Sequence, residues 1–398
     1  MPFRSLAARA VILVVLVLFA GQALARDFVD AAGRRVVLPA RVERVMAADP
    51  AAAVLVYVLA PDKLVGWTRP LSAAQRAFIP AKYAGLPVAG RLAGPHPTAS
   101  AATVARLRPD LVIHWGRLDP AAVATADSVQ QATGIPYIIL HGTIQNTPAL
   151  LRQVGAMLGV SDRAHKVSKA AEESIDSLRG LLLIEPAEKR PRVYYGRGPD
   201  GLVSGRLGSL ASEDVEEAGA VNVAAALGAG GDARVTPAQL IAWDPQIVIA
   251  EHASFYEALR SDPQYRQLSA VRERRVYLAP AAPFGWIDNP DGINRIIGLD
   301  WVTTLFYPSD FQQSLRTTAT DFYQRFYQVK LTDKQVSQLL RRAGGRRGGA
   351  DQGSGLALLG ITPGPNLTAL PELGKAPPSK RPPGRGGLPG GTPDSPLR

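Results

Sequence analysis

The sequence predicts an α/β fold of two similar halves, and three observations carry that prediction. Short apolar, β-rich runs bounded by turn residues recur along the chain, one long amphipathic pattern sits mid-chain, and a helix–turn–strand phrase occurs on each side of it. The runs are Val42–Met46, Leu64–Trp67, Leu111–Ile113, Tyr137–Leu140, Val193–Tyr195, Ile247–Ala250 and Val276–Leu278, with helical patterns between most of them. Strands that are apolar throughout suit a mostly parallel sheet covered on both faces.

The long pattern starts at Ser161, an expected N-cap. Ala164, Val167, Ala171, Ile175, Leu178 and Leu182 follow at helical spacing, with Lys and Glu opposite and Pro186 beyond the end. A helix over 162–183 is expected. The repeated phrase is Ala102 to Ile113 and Ala238 to Ile249: a short helix, a turn marked by Pro109 or Pro245, then a buried strand. Ligand sites in such bodies form outside the carboxyl ends of strands, so the crevice between the halves is the expected site.

The ends differ from the body. Residues 1–25 carry Arg4 and Arg9, an apolar run from Ala10 to Ala20, and Ala23-Leu24-Ala25. This is the layout of an export signal cleaved after Ala25, and the chain, which has no cysteine, offers no lipoprotein anchor. A soluble periplasmic protein beginning at Arg26 is expected. From Arg341 onward, 14 Gly and 10 Pro fall within 58 residues, too little apolar surface to offset the entropy of ordering, so 341–398 reads as a disordered tail. The expected divisions are thus 1–25 signal, 26–160 N-terminal lobe, 161–185 linking helix, 186–340 C-terminal lobe and 341–398 tail.

Of the formal charge of +11, the two ends hold +2 and +6, leaving +3 over 26–340. The basic balance therefore belongs to the ends, and no nucleic-acid partner is inferred from it. The absence of cysteine removes disulfides, thiolate metal sites and cysteine nucleophiles.

Phe28 to Pro39, Arg44-Val45-Met46, Pro109 to Ile113 and Ala270 to Tyr277 resemble the helical-backbone substrate-binding proteins of bacterial ABC importers, over about residues 28–330. Arg192 to Leu202, Pro283 to Pro290, and Asn294-Arg295 are similar to the iron-complex branch. The resemblance implies two rigid Rossmann-like lobes, here joined by the single long helix, limited hinge motion, and delivery of a small-molecule metal chelate to an inner-membrane ABC permease; a monomer with no intrinsic cofactor is expected. An iron complex of the ferric siderophore type is the expected ligand; a nickel or cobalt complex, haem, B12 or a molybdate-type oxyanion are the alternatives. The family also presents acidic residues to the permease, for which Glu43, Glu213, Glu216 and Glu217 are candidates.

Read from the residues, candidate ligand contacts cluster at strand ends. His114 and His141 follow strands directly, His252 lies just beyond Ala250, and His96 sits in Gly94-Pro95-His96-Pro97. All four are candidate metal ligands, directly or only through the chelate, although no H-x-x-H pairing supports a local site. His165 lies on the long helix and is expected in solvent. Arg69, Arg91, Arg117 and Arg197 also follow strands, and a guanidinium binds chelate oxygens bidentately. Arg197, in Tyr194-Tyr195-Gly196-Arg197-Gly198, is the foremost candidate; Arg91 and Arg117 read as solvated loop cations. Trp67, Trp115, Tyr195 and Trp286 are candidate aromatic lining. Asp288 or Asn289 is expected to cap the helix after Pro290, with Arg295 pairing a nearby acid. No G-x-S-x-G, zincin or paired-carboxylate signature supports an exported metal-dependent hydrolase, so no catalytic residue is assigned. A chemoreceptor or adhesion module differs from an importer component only in its partners.

Overall fold

A computed structural model of the protein describes residues 26–308, 314–341, 343 and 344. The export segment 1–25 and the tail from 345 onward lie outside the described residues.

The chain opens with an antiparallel hairpin, β1 (Arg26–Val29) and β2 (Arg35–Leu38). The N-terminal sheet then runs in the order β3 (Val45–Ala47), β4 (Leu111–Trp115), β5 (Tyr137–Leu140), all parallel. The run Leu64–Trp67 touches this sheet through one isolated bridge, Val45 to Leu64, pairs at its other end with Val88 outside it, and is not a full strand. The C-terminal sheet places β11 (Val276–Leu278), β10 (Ile247–Ala250), β6 (Arg192–Gly196) and β8 (Val221–Asn222) side by side, also parallel. A short antiparallel pair, β7 (Val203–Gly205) and β9 (Asp232–Arg234), stands apart. Every residue of β4, β5 and β10 is buried, as strands covered on both faces require.

The helices used below are α1 (Pro50–Leu59), α2 (Ala101–Leu107), α3 (Pro120–Thr133), α4 (Thr147–Met157), α5 (Ser161–Ile184), α6 (Glu213–Glu217), α7 (Pro237–Trp243), α8 (Ala253–Ser261), α9 (Arg295–Phe306), α10 (Leu315–Phe326) and α11 (Asp333–Leu340). The linking helix α5 buries Ala164, Val167, Ala171, Ile175 and Leu178, the stripe that its spacing predicts. Its N-cap is Val160, so Ser161 begins the helix instead of capping it.

The repeated phrase has the same geometry in both lobes. α2 ends on Arg108 at φ 45° and α7 on Asp244 at φ 40°, both left-handed, and Pro109 and Pro245 follow before β4 and β10. The next residue ties each strand to its neighbour: Asp110 Oδ2 accepts from the Arg44 amide at 2.8 Å, and Gln246 Oε1 accepts from the Arg192 amide at 2.8 Å.

One hydrophobic core runs through both lobes, taking in Val45, Ile113 and Ile138 from one sheet and Val193, Tyr195 and Ile249 from the other. Separate clusters cover the outer face of each sheet. The shared core, with α9 buried against α5, welds the lobes at their base and leaves the strand ends facing one another. Among the described residues no helix is long and apolar enough to cross a membrane.

Candidate functional site: the crevice between the lobes

The first wall is built on the end of β3, where the chain reads Asp49-Pro50. Asp49 caps α1, its Oδ1 accepting from the Ala52 amide at 2.9 Å, with Pro50 at the first helical position. Its Oδ2 accepts from the Trp115 amide at 2.8 Å and lies 3.1 Å from His114 Nδ1. Burial alone lowers the His114 pKa, but the hydrogen bond and charge of Asp49 outweigh it, and the net direction is upward. Trp115 is fixed from its other side by Gly142, where an added Cβ would lie 2.6 Å from the indole Nε1. Arg91 Nη2 donates to the carbonyls of Pro95 and of His96, the latter at 2.6 Å, which closes the loop that lines the wall.

The opposite wall comes from the ends of β6 and β10 and the segment 284–291. Arg197 Nη1 donates to Asp232 Oδ2 at 2.6 Å, and its Nε pairs with Asp288. Asp288 Oδ1 accepts from the Tyr195 hydroxyl at 2.7 Å. Burial pushes the Asp288 carboxyl up to about 7, against the pull of Arg197. Glu251 Oε2 accepts from the Gly198 amide at 2.7 Å and Oε1 from Asn289 Nδ2 at 3.1 Å.

Between the walls lies a cavity of about 740 Å³, lined by Asp49, Arg91, Trp115 and Arg117 from one lobe and by Arg197, Glu251 and Asp291 from the other. A second cavity of about 710 Å³ lies on the far side of the segment 285–289, and Glu251 and Asn289 wall both.

The predicted site residues divide among these places. Arg197, Trp115 and His114 meet at the first cavity. Arg69, Tyr195, His252 and Trp286 line the second. Trp67, 3% exposed, packs between Tyr57 and Phe284 and donates to the Tyr83 carbonyl, a core role. Trp286 is wholly buried and Tyr195 is held by Asp288, so both are chiefly packing residues.

The four histidines do not form one centre. His96 is exposed on its loop at φ 58°, and His141 lines a different cavity beside β1. His252 caps α8, its Nδ1 accepting from the Ser254 amide at 3.2 Å, while His114 is engaged by Asp49. Among the described residues no group of three His, Cys, Asp or Glu side chains is placed to hold a metal ion. His165 is exposed on α5.

Three further expectations change. Asp288 pairs with Arg197 and does not cap a helix; α9 begins after Asn294. Arg91, read as a solvated loop cation, is half-buried and lines the cavity; Arg117 lines it too but is solvated as expected, with its side chain 74% exposed. Three of the acidic candidates for permease contact are half-buried and bonded within the chain: Glu213 pairs with Arg295 and accepts from the Ile144 amide at 2.7 Å, Glu216 accepts from the Gly208 amide and Asn222, and Glu217 from Gln145, whereas Glu43 is exposed. Glu43 pairs with Arg41 and Lys63. Asp49, Glu251 and Asp291 were missed, although each stands at a strand end or beside Pro290, where the arginines were sought.

Residues 77–283 match the profile of a family described as periplasmic binding protein. An ABC transporter solute binding protein from Sulfurospirillum deleyianum shares the fold with a TM-score of 0.71 at 25% identity, over 79% of this chain and 99% of that one. A molybdate periplasmic binding protein of Haemophilus influenzae, with molybdate bound, has a TM-score of 0.63 at 20% identity, over 77% and 99%. A Helicobacter pylori protein in complex with nickel and histidine has a TM-score of 0.60 at 16% identity, over 79% and 99%. The last two likenesses show the fold alone. No protein of curated function matches the chain by sequence.

Proposed function

We propose, from the premise that this chain belongs to the periplasmic binding protein family, that it captures a metal chelate of the ferric siderophore type in the periplasm and hands it to an ABC permease. One observation carries the ligand class: a cavity of about 740 Å³ walled by both lobes, lined by Arg91, Arg117, Arg197 and Trp115 yet without a three-donor metal set among the described residues. A metal bound there arrives with its own ligands. The volume falls in the roughly 300–1,000 Å³ range of sites for drug-sized molecules and is several times what a bare ion fills. Arg91 and Arg117 are placed to meet chelate oxygens with charge-assisted hydrogen bonds. The reading of capture and release rests on the family to which the chain belongs.

The test is native mass spectrometry with elemental analysis of protein taken from its own periplasm, followed by tryptophan-quenching titrations. Trp115, in the cavity wall, is the reporter. A ferric hydroxamate is expected to bind at least roughly a hundredfold more tightly than molybdate, nickel–histidine, haem or B12, a gap of about 2.7 kcal/mol. A best ligand from that second group overturns the iron-chelate reading.

A further inference from the structure

The two walls of the crevice have opposite electrical character. On the N-terminal side the carboxylates are used up locally: Asp49 by the Ala52 and Trp115 amides and His114, and Asp119 by the Ala122 amide that it caps at 2.9 Å. Arg91 has no carboxylate partner, and its buried Nε has no acceptor. Arg117, with its side chain 74% exposed, comes no closer than 4.0 Å to Asp119.

On the C-terminal side the shortage is of cations. Arg197 is consumed by Asp232 and Asp288. Glu251 receives hydrogen bonds only from neutral donors, the Gly198 amide and Asn289. Asp291 is among the lining residues; its Oδ1 is buried and has no hydrogen-bond donor among the described residues, and burial raises its pKa against the pull of Arg295 and Arg197. A buried carboxyl oxygen without a hydrogen-bond donor at the edge of a cavity is a cost that an arriving cationic group can relieve. A bare metal ion is not the favoured answer, since among the described residues no group of three His, Cys, Asp or Glu side chains is placed to hold one.

We propose that the ligand of this crevice is bipolar: it turns oxygen donors to Arg91 and Arg117 and an ammonium-type cationic group to Glu251 and Asp291. This rests on the chelate reading above and narrows it. A ligand of one charge sign satisfies one wall and is opposed by the other, whereas a chelate with a pendant amine satisfies both. The wall with unmet acceptors thereby selects between chelates with the same metal core, because a buried carboxylate left without its partner penalises the neutral analogue.

The experiment compares ferrioxamine B, a linear ferric trihydroxamate ending in an ammonium group, with its N-acetylated neutral twin. Tryptophan quenching reads the affinity of both for the wild-type chain and for Asp291→Asn. The ammonium form is expected to bind the wild type about ten- to a hundredfold more tightly. Asp291→Asn is expected to remove most of that preference, weakening the ammonium form and binding the neutral twin at least as tightly as the wild type does, and that retained binding also shows that the variant is folded. Equal binding of the two chelates by the wild type overturns the bipolar inference and spares the chelate reading, as does an equal loss of both in the variant. Failure of the wild type to bind either overturns both.

Discussion

In the N-terminal wall of the crevice Asp49 and Arg91 hold backbone, whereas on the C-terminal side the arginines hold carboxylates. Asp49 grips two amides and Arg91 two carbonyls. Arg197 and Arg295 instead grip Asp232, Asp288 and Glu213. A charge bonded to backbone sets shape and leaves little to adjust when a ligand arrives. A charge bonded to a charge sets a balance that a ligand, a proton or a substitution can tip. The first wall is thus a preformed surface, and the second is the side from which selectivity between charged ligands is drawn.

The sharpest way to break that contrast lies at the base of the second wall. Arg295 is 1% exposed, pairs with Glu213 and donates from Nη2 to the Gly142 carbonyl of the other lobe at 2.9 Å. Asp214 lies buried close by with no hydrogen-bond partner, so Arg295 is the cation of a buried acidic group. Arg295→Met is expected to cost about 3–5 kcal/mol, because it leaves Glu213 uncompensated. Urea denaturation checks this, and Arg295→Met with Glu213→Gln is expected to recover part of the loss. If the double variant is no more stable than the single one, charge balance is not what Arg295 supplies.

Titration gives a smaller but more discriminating comparison. Asp288 keeps its proton up to about pH 7 in the folded chain, while in the unfolded chain it ionises near its ordinary value of 3.8. Its contribution to stability is therefore complete below about pH 4 and is lost as the pH rises toward 7, with a slope of at most about 1.4 kcal/mol per pH unit. Asp214 and Asp300, also raised by burial, act in the same sense. His114 is raised by Asp49, so its contribution is complete below the ordinary histidine value of about 6.5 and is lost only above it, as the pH passes through the folded value. Unfolding free energies measured from pH 4 to 9 are expected to fall in both windows. Asp288→Asn should flatten the lower window and Asp49→Asn the upper. Were both substitutions to flatten the same window, the two walls would not be electrostatically independent.

The parts legible in sequence were those set by local pattern. Tyr137–Leu140, Ile247–Ala250 and Val276–Leu278 are strands over those bounds because an all-apolar run between turn residues has few other uses. The run Leu64–Trp67 has the same pattern, yet it pairs only at its two ends, and pattern cannot report how much of a run finds a partner. The short strands β7 and β9 pair through Ser204 and Ala233 without any such run and went unread. At the site, strand ends pointed to His114, Trp115 and Arg197, which line the first cavity, and equally to His141 and Trp67, which do not. They could not tell what each charge meets there, since Tyr195 and Asp288 are 93 positions apart and Glu213 and Arg295 are 82. Arg197 looked like a free guanidinium because the carboxylates that occupy it are distant in sequence. Arg91 looked solvated because its partners are carbonyls, which composition does not distinguish.

The smallest expected effect belongs to Arg117, and it sharpens the comparison by separating reach from grip. Its side chain is 74% exposed and its nearest carboxylate, on Asp119, is 4.0 Å away, so it belongs to the first wall by position but holds no backbone as Asp49 and Arg91 do. An exposed charge contributes at most about 1 kcal/mol at equilibrium and is screened by salt, while its field still acts on a ligand approaching the mouth of the crevice. Arg117→Ala is therefore expected to leave the unfolding free energy within about 0.5 kcal/mol. It should weaken ferrioxamine B binding by no more than about fivefold. Stopped-flow quenching at low and high salt provides the check. For a cation that only steers, the difference from wild type sits in the association rate and disappears at high salt. A difference that persists at high salt and appears in the dissociation rate would instead make Arg117 a direct contact, with Arg91 no longer the principal cation of that wall.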